Sequence, residues 1–195
     1  VQTQPGDTEA IASATAEFDV LVKLSHDHIV RVMAMDLIKE QGLLRIFMEW
    51  VPTGSVLSVI ERCKFRLHEP VVRRYARDAL EGLKYLHQKG ILHLDLKPSN
   101  LLVTSDGKVK LADFGTSKLL QVGESSLHTQ HIIGTPAYMA PEIISVNKYF
   151  KGSDMWAWAC CIVQMASGQM PWSHLDPNIR NNITPLMFHI YNSKP

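Results

Sequence analysis

Asp95, Lys97 and Asn100 stand within one six-residue stretch, and Asp113 follows eighteen positions after Asp95. Their side chains offer a carboxylate that can take a proton and an ammonium that can neutralise an anion. They also offer two oxygen donors, an amide and a second carboxylate, suited to a hard divalent cation. Moving a phosphoryl group onto a hydroxyl needs those parts: a proton acceptor, a cation beside the transferring phosphate, and oxygen ligands for magnesium. The stretch His93-Leu94-Asp95-Leu96-Lys97-Pro98-Ser99-Asn100 cannot continue a helix. Pro98 has no N–H and disfavours helix at Lys97, and Ser99 and Asn100 are turn formers. A lone aspartate in a loop is ordinarily a turn residue. Four such groups gathered around apolar strands call for another explanation.

Several elements must hold this loop. Upstream, Val72, Tyr75, Ala76, Ala79, Leu80, Leu83 and Leu86 make a helical stripe from Glu69 to about Gln88, stopped by Gly90. Arg73, Arg74, Arg77 and Lys84 lie on its other faces and read as solvated. Downstream, Leu101–Thr104 and Lys108–Ala112 flank Ser105-Asp106-Gly107, a hairpin signal. The hairpin folds the chain back, so Asn100 and Asp113 leave it at the same end. Residues 116–134 are rich in Ser, Thr, Gln, His and Gly and read as a long mobile loop. Met155 to Ala166 is apolar all round, the pattern of a helix buried on every side, capped by Ser153 and ended by Gly168. A short helix fits around Leu186–Tyr191.

The first fifty residues differ in kind. Asp7-Thr8-Glu9 can start a helix over about 8–25, with Ile11, Ala14, Phe18 and Leu21 on one face and Glu17 among them. Ile29 to Met35 and Leu43 to Glu49 read as an antiparallel pair joined at Lys39–Gly42. Trp50-Val51-Pro52-Thr53-Gly54-Ser55 breaks the pattern and marks a lobe boundary, after which Ser55 can cap a helix to about Cys63.

The 195 residues are 46% hydrophobic and 20% charged, with a net charge of +1. That balance disfavours nucleic acid or a membrane surface as the principal partner. Three cysteines, two of them adjacent at 160 and 161, form neither a disulfide framework nor a zinc pattern, so a reducing compartment is expected. No signal peptide is visible, and the longest apolar run is far short of a membrane span.

Taken in order, His93–Asn100, Asp113-Phe114-Gly115 and Ala140-Pro141-Glu142 resemble the catalytic half of the protein kinases. The resemblance implies an α+β, bilobal fold: a truncated small β lobe over 1–51 and a mainly helical large lobe over 52–195. It implies a serine/threonine kinase using ATP and Mg²⁺, cytoplasmic, acting on a protein substrate such as a downstream kinase. Asp95, Lys97, Asn100 and Thr135 would be catalytic, with Asn100 and Asp113 as metal ligands. Glu17, Met48, Glu49, Val51, Leu102 and Asp113 would serve ATP: Glu17 pairs the phosphate-gripping lysine, Met48 is gatekeeper, and main-chain groups of Glu49 and Val51 meet adenine. Thr135, in Gly134-Thr135-Pro136-Ala137-Tyr138-Met139, would bond Asp95 and Lys97, and Asp154 would anchor the loop. Leu21, Val32, His93 and Phe114 would stack as a spine. The hinge mix and Asp-Phe-Gly-Thr-Ser-Lys are most similar to the MAP kinase kinase kinase branch.

Departures accompany the match. No glycine-rich loop or strand lysine precedes Glu17, and the last helices of a full domain are absent, so a fragment of a longer chain is expected. Glu142 is expected to lack its usual arginine, and Leu94 and Ala159 replace an arginine and a glycine. The alternative to a kinase is a pseudokinase or truncated scaffold that binds partners without catalysis. The missing lysine and Leu94 favour it, and the intact Asp95, Lys97, Asn100 and Asp113 oppose it.

Overall fold

The computed structural model describes residues 20–38, 43–63, 66–120, 123–129 and 131–192. Most of the helix expected over about 8–25, and Glu17 within it, lie outside the described residues. Val20 and Leu21 are helical and the chain turns at 22 and 23, short of the expected end. The next strand also starts later than expected. Ile29 makes an isolated parallel bridge to Leu111, with Val30 N–H donating to Leu111 O at 2.8 Å and Leu111 N–H to His28 O at 2.9 Å. Only then does β1 (Val32–Ile38) pair antiparallel with β2 (Leu43–Met48), Val32 opposite Met48, with an irregularity between Val32 and Ala34. Met33, Ile46 and Phe47 are exposed on this pair. A sheet of two strands has too little area to bury both faces.

Past Val51 the chain is mainly helical. Helix α1 (Val56–Arg62) starts where expected, with Ser55 Oγ accepting Ser58 N–H at 3.2 Å. Helix α2 (Glu69–Gln88) buries Val72, Tyr75, Ala76, Ala79, Leu83 and Leu86 of the predicted stripe, and leaves Leu80 half-buried at its edge. Gly82 sits mid-helix because a Cβ there would lie 2.7 Å from His28 O. The helix can approach the 28–30 segment only at a glycine, which outweighs the roughly 1 kcal/mol that glycine costs a helix. Gly90, at φ +73°, turns the chain into β3 (Ile91–Leu92). The hairpin is β4 (Leu101–Val103) against β5 (Val109–Leu111), with Leu101 opposite Leu111.

The described part of the stretch 116–134 includes regular structure. It contains β6 (Lys118–Leu119), which pairs with β3, and β7 (Ser126–His128), which pairs with β8 (Lys148–Phe150). Helices α3 (Pro141–Val146), α4 (Lys151–Ser167), α5 (Pro177–Arg180) and α6 (Ile183–Asn192) complete the chain. Helix α4 corrects the expectation of burial on every side. Ala157, Cys161 and Met165 are buried, and Trp158 Nε1 donates to Ala76 O of α2 at 2.9 Å. Ala159, Val163 and Ala166 are exposed, because small and moderately apolar side chains do not by themselves require a partner. Ser153 lies inside the first turn, where Phe150 N–H donates to its Oγ at 3.1 Å, and Gly168 closes the helix at φ +74°.

Candidate active site

The loop after β3 is suspended from α4. Asp154, buried on that helix, accepts His93 N–H through Oδ2 and Leu94 N–H through Oδ1, each at 3.0 Å. Satisfying both buried donors on one carboxylate bends the chain, and Leu94 adopts φ +68°, a conformation that costs a non-glycine residue roughly 1–2 kcal/mol. The Leu94 side chain is buried with Leu92, Leu120, Met139, Ile143 and Tyr149. His93 Nε2 lies 3.0 Å from Ala112 O. A carbonyl only accepts, so that nitrogen carries the proton and Nδ1 is left to accept Asp95 N–H, at 3.4 Å. The ring also packs on Phe114, centroids 5.7 Å apart. Val32 and Phe114 are buried in one core cluster against which the half-buried Leu21 packs.

Asp95, Lys97 and Thr135 close into one network. Lys97 Nζ donates to Asp95 Oδ2 at 2.7 Å and to Thr135 Oγ1 at 2.9 Å, and Thr135 Oγ1 donates to Asp95 Oδ1 at 2.7 Å. Asn100, in the 3-10 turn Pro98–Asn100, donates from Nδ2 to Asp95 O at 2.9 Å, which reserves Oδ1 as an acceptor. Asp113 arrives from the other strand of the hairpin. Ala112 N–H donates to Asn100 O at 2.9 Å, so Asn100 and Asp113 leave the same end, as the turn signal implied. Asp113 is exposed and takes φ +62°.

Of the candidates for the ATP site, Val51 and Leu102 meet the hairpin beside Asp113. Val51 and Ala112 are buried with Val30, and Leu102 packs against them half-buried. Val103 N–H donates to Gly54 O at 2.8 Å, tying the hinge to β4. Met48 is 46% exposed and Trp50 is 87% exposed. Glu49 N–H is used by Arg31 O at 2.9 Å, while its carboxylate accepts Arg31 N–H at 2.9 Å and Lys110 Nζ at 2.5 Å. Burial works against ionising that carboxylate, but the hydrogen bonds and charges of Lys110 and Arg31 outweigh it and hold the pKa below its ordinary 4.5. A native value below the unfolded one stabilises the fold fully above pH 4.5 and loses that contribution as pH falls through the lowered value. In urea unfolding at neutral pH, Glu49→Gln is expected to be weaker than the wild type by about 0.5–1 kcal/mol, a gap that closes in acid.

Two roles escaped the sequence reading. His87, in the last turn of α2, places Nε2 2.7 Å from Asp154 Oδ2, so the carboxylate that carries the loop is itself held from a second helix. Its position on the stripe after Leu83 and Leu86 was the available signal. Ser153 caps the start of α4 as expected and has a second role, its hydroxyl donating to Glu142 Oε1 at 2.7 Å. Glu142 is half-buried as expected, but its carboxylate has this partner. Glu17 lies outside the described residues.

The profile of the family described as Protein kinase domain matches residues 1–194, and the chain belongs to that family. Within it, the similarity is to MAP kinase kinase kinases. Mitogen-activated protein kinase kinase kinase A of Dictyostelium discoideum is 35% identical over 193 residues, 99% of this chain and 19% of the relative. Mitogen-activated protein kinase kinase kinase 1 of Arabidopsis thaliana is 39% identical over 172 residues, 87% of this chain and 27% of the relative. Mitogen-activated protein kinase kinase kinase ANP1 of Arabidopsis thaliana is 42% identical over 160 residues, 80% of this chain and 23% of the relative. The chain thus spans from about a fifth to about a quarter of the length of these relatives. Protein kinases as a family use ATP and Mg²⁺. Among the described residues, no helix is long and apolar enough to cross a membrane.

Proposed function

We propose that the protein is a serine/threonine kinase that transfers the γ-phosphate of Mg-ATP to a protein hydroxyl in a MAP kinase cascade. The observation that carries this reading is the closed Asp95–Lys97–Thr135 network beside Asn100 and Asp113. The donor set fits magnesium: one amide oxygen and one carboxylate, a hard-oxygen pair that leaves positions for water and phosphate oxygens. Bound Mg-ATP supplies the electrophilic phosphorus and offsets the charge on the transferring group.

The chain's own residues do the rest. Asp95 takes the proton of the substrate hydroxyl, while Lys97, within reach of both Asp95 and Thr135, meets the negative charge of the phosphate. Thr135 holds the docking segment against Asp95. Asn100 and Asp113 would hold the cation at the hairpin's open end. The Glu49 carbonyl and Val51 main chain meet adenine, bounded by Met48 and Leu102, and Glu17 would pair a phosphate-gripping lysine upstream of it, which none of the lysines in this sequence supplies. The site lies between lobes 1–51 and 52–195. The protein works in the cytoplasm, and its substrate is a downstream kinase, as the names of its relatives suggest.

Thermal unfolding with and without Mg-ATP tests the binding half of this reading. At a hundredfold excess over its dissociation constant, Mg-ATP should stabilise the wild type by about 2.7 kcal/mol. Asp113→Asn should lose most of that gain. An equal gain in the variant would remove Asp113 from the metal site.

A further inference from the structure

Tyr149 is fully buried on β8, with no part of its ring or hydroxyl in the catalytic network. Its hydroxyl makes two bonds to one residue sixteen positions upstream: it accepts Ile133 N–H at 2.5 Å and donates to Ile133 O at 3.0 Å. A buried tyrosine hydroxyl needs one partner to be satisfied, and any nearby carbonyl would serve. Here both polar groups of a single residue are taken, so the main chain on either side of Ile133 is fixed. The next residue, Gly134, takes φ +112° and lies so close to the catalytic loop that a Cβ would stand 2.7 Å from Leu94 O. The residue after that, Thr135, donates to Asp95. Tyr149 also shares its apolar cluster with Leu94 and Met139, with Ile133 packed on the edge. Three consecutive residues are thus set by β8, by the Leu94 carbonyl and by Asp95 in turn.

We infer that Tyr149 is a positioning residue for phosphoryl transfer: its hydroxyl sets the main chain at Ile133 and, through Gly134, the placing of Thr135 against Asp95. This rests on the phosphoryl-transfer reading above. The seat it makes is neutral, built from one phenol and an apolar cluster that includes Leu94. Leu94 stands where the family has an arginine that clasps phosphate, so the docking segment gains its register from packing and one hydroxyl.

Tyr149→Phe, made in the full-length protein, tests the inference. The ring and its packing remain and only the hydroxyl goes. Tyr85→Phe is the control, since Tyr85 Oη accepts Ser25 N–H away from the site. Amide hydrogen exchange at residues 133–135 should rise about tenfold in Tyr149→Phe, with Leu83 and Leu86 unchanged. The KM for a protein acceptor should rise about tenfold while the KM for ATP stays within twofold. Tyr85→Phe should move neither. Exchange that rises uniformly along the chain, or an unchanged acceptor KM, would reduce Tyr149 to a core residue and overturn the inference. Faster exchange confined to 133–135 in a protein whose wild type transfers no phosphate would leave the clamp standing and overturn the phosphoryl-transfer reading instead.

Discussion

Asp95→Asn is expected to lower kcat for phosphate transfer by about 10²–10⁴-fold, the usual contribution of a positioned proton acceptor. The substitution keeps the side chain's shape and one carbonyl oxygen to accept from Lys97 or Thr135, so the fold should survive it. The KM for ATP should hold within a factor of about three, because the Asp95 carboxylate is tied chiefly to Lys97 and Thr135 and the main bond of Asn100, proposed with Asp113 to hold the cation, is to the Asp95 carbonyl, which the substitution keeps. Steady-state kinetics on the full-length protein give both numbers. A variant with wild-type kcat would show that Asp95 only shapes the loop. Loss of ATP affinity in step with kcat would show that the network's role is in binding and not in transfer.

The second large effect is on stability. Asp154→Ala removes the acceptor of two buried N–H groups, those of His93 and Leu94, and strands His87 Nε2. Each buried donor left without a partner costs about 1–3 kcal/mol. The side chain is 3% exposed, so water cannot readily replace it. A total loss of at least about 3 kcal/mol is expected, a large fraction of the stability of an ordinary domain. Asp154→Asn should cost less, since its amide oxygen satisfies one donor while its NH₂ opposes the other. Denaturant unfolding measures both variants. The order Ala worse than Asn worse than wild type follows from counting donors, and an Asp154→Ala variant within 0.5 kcal/mol of the wild type would contradict it. Activity should fall with stability in this series, because the same carboxylate holds Leu94 at φ +68° and thereby aims Asp95.

What was legible in the sequence were the features with local causes. Pro98 and the Asp106-Gly107 turn broke the chain where it breaks, and one hairpin put Asn100 and Asp113 together. The stripe of α2 and the stop at Gly90 follow from period and from positive φ. Features with distant causes were hidden. Strands β6 and β7 are two and three residues long, too short for a periodic pattern, and exist because β3 and β8 pair with them. His87 is 67 residues from Asp154, and Tyr149 is buried for a partner in a stretch that reads as loop. The outer face of α4 is exposed despite its apolar sequence, because apolar composition reports what a helix tolerates, while burial depends on what packs there. Leu94 read only as a missing arginine. Nothing in a leucine announces the left-handed backbone that two N–H groups on one carboxylate impose.

If His93–Asn100, Thr135 and Asp113 form one phosphoryl-transfer site, phosphate transfer itself is the most direct measurement of it. Full-length protein is incubated with Mg²⁺, ATP labelled at the γ-phosphate and a protein acceptor rich in serine and threonine, beside the Asp95→Asn and Asp113→Asn variants. Label that mass spectrometry places on acceptor Ser or Thr with the wild type, and that falls at least a hundredfold with either variant, is the predicted result. Label on the acceptor at equal rates in all three proteins, or no label with any of them, would contradict it.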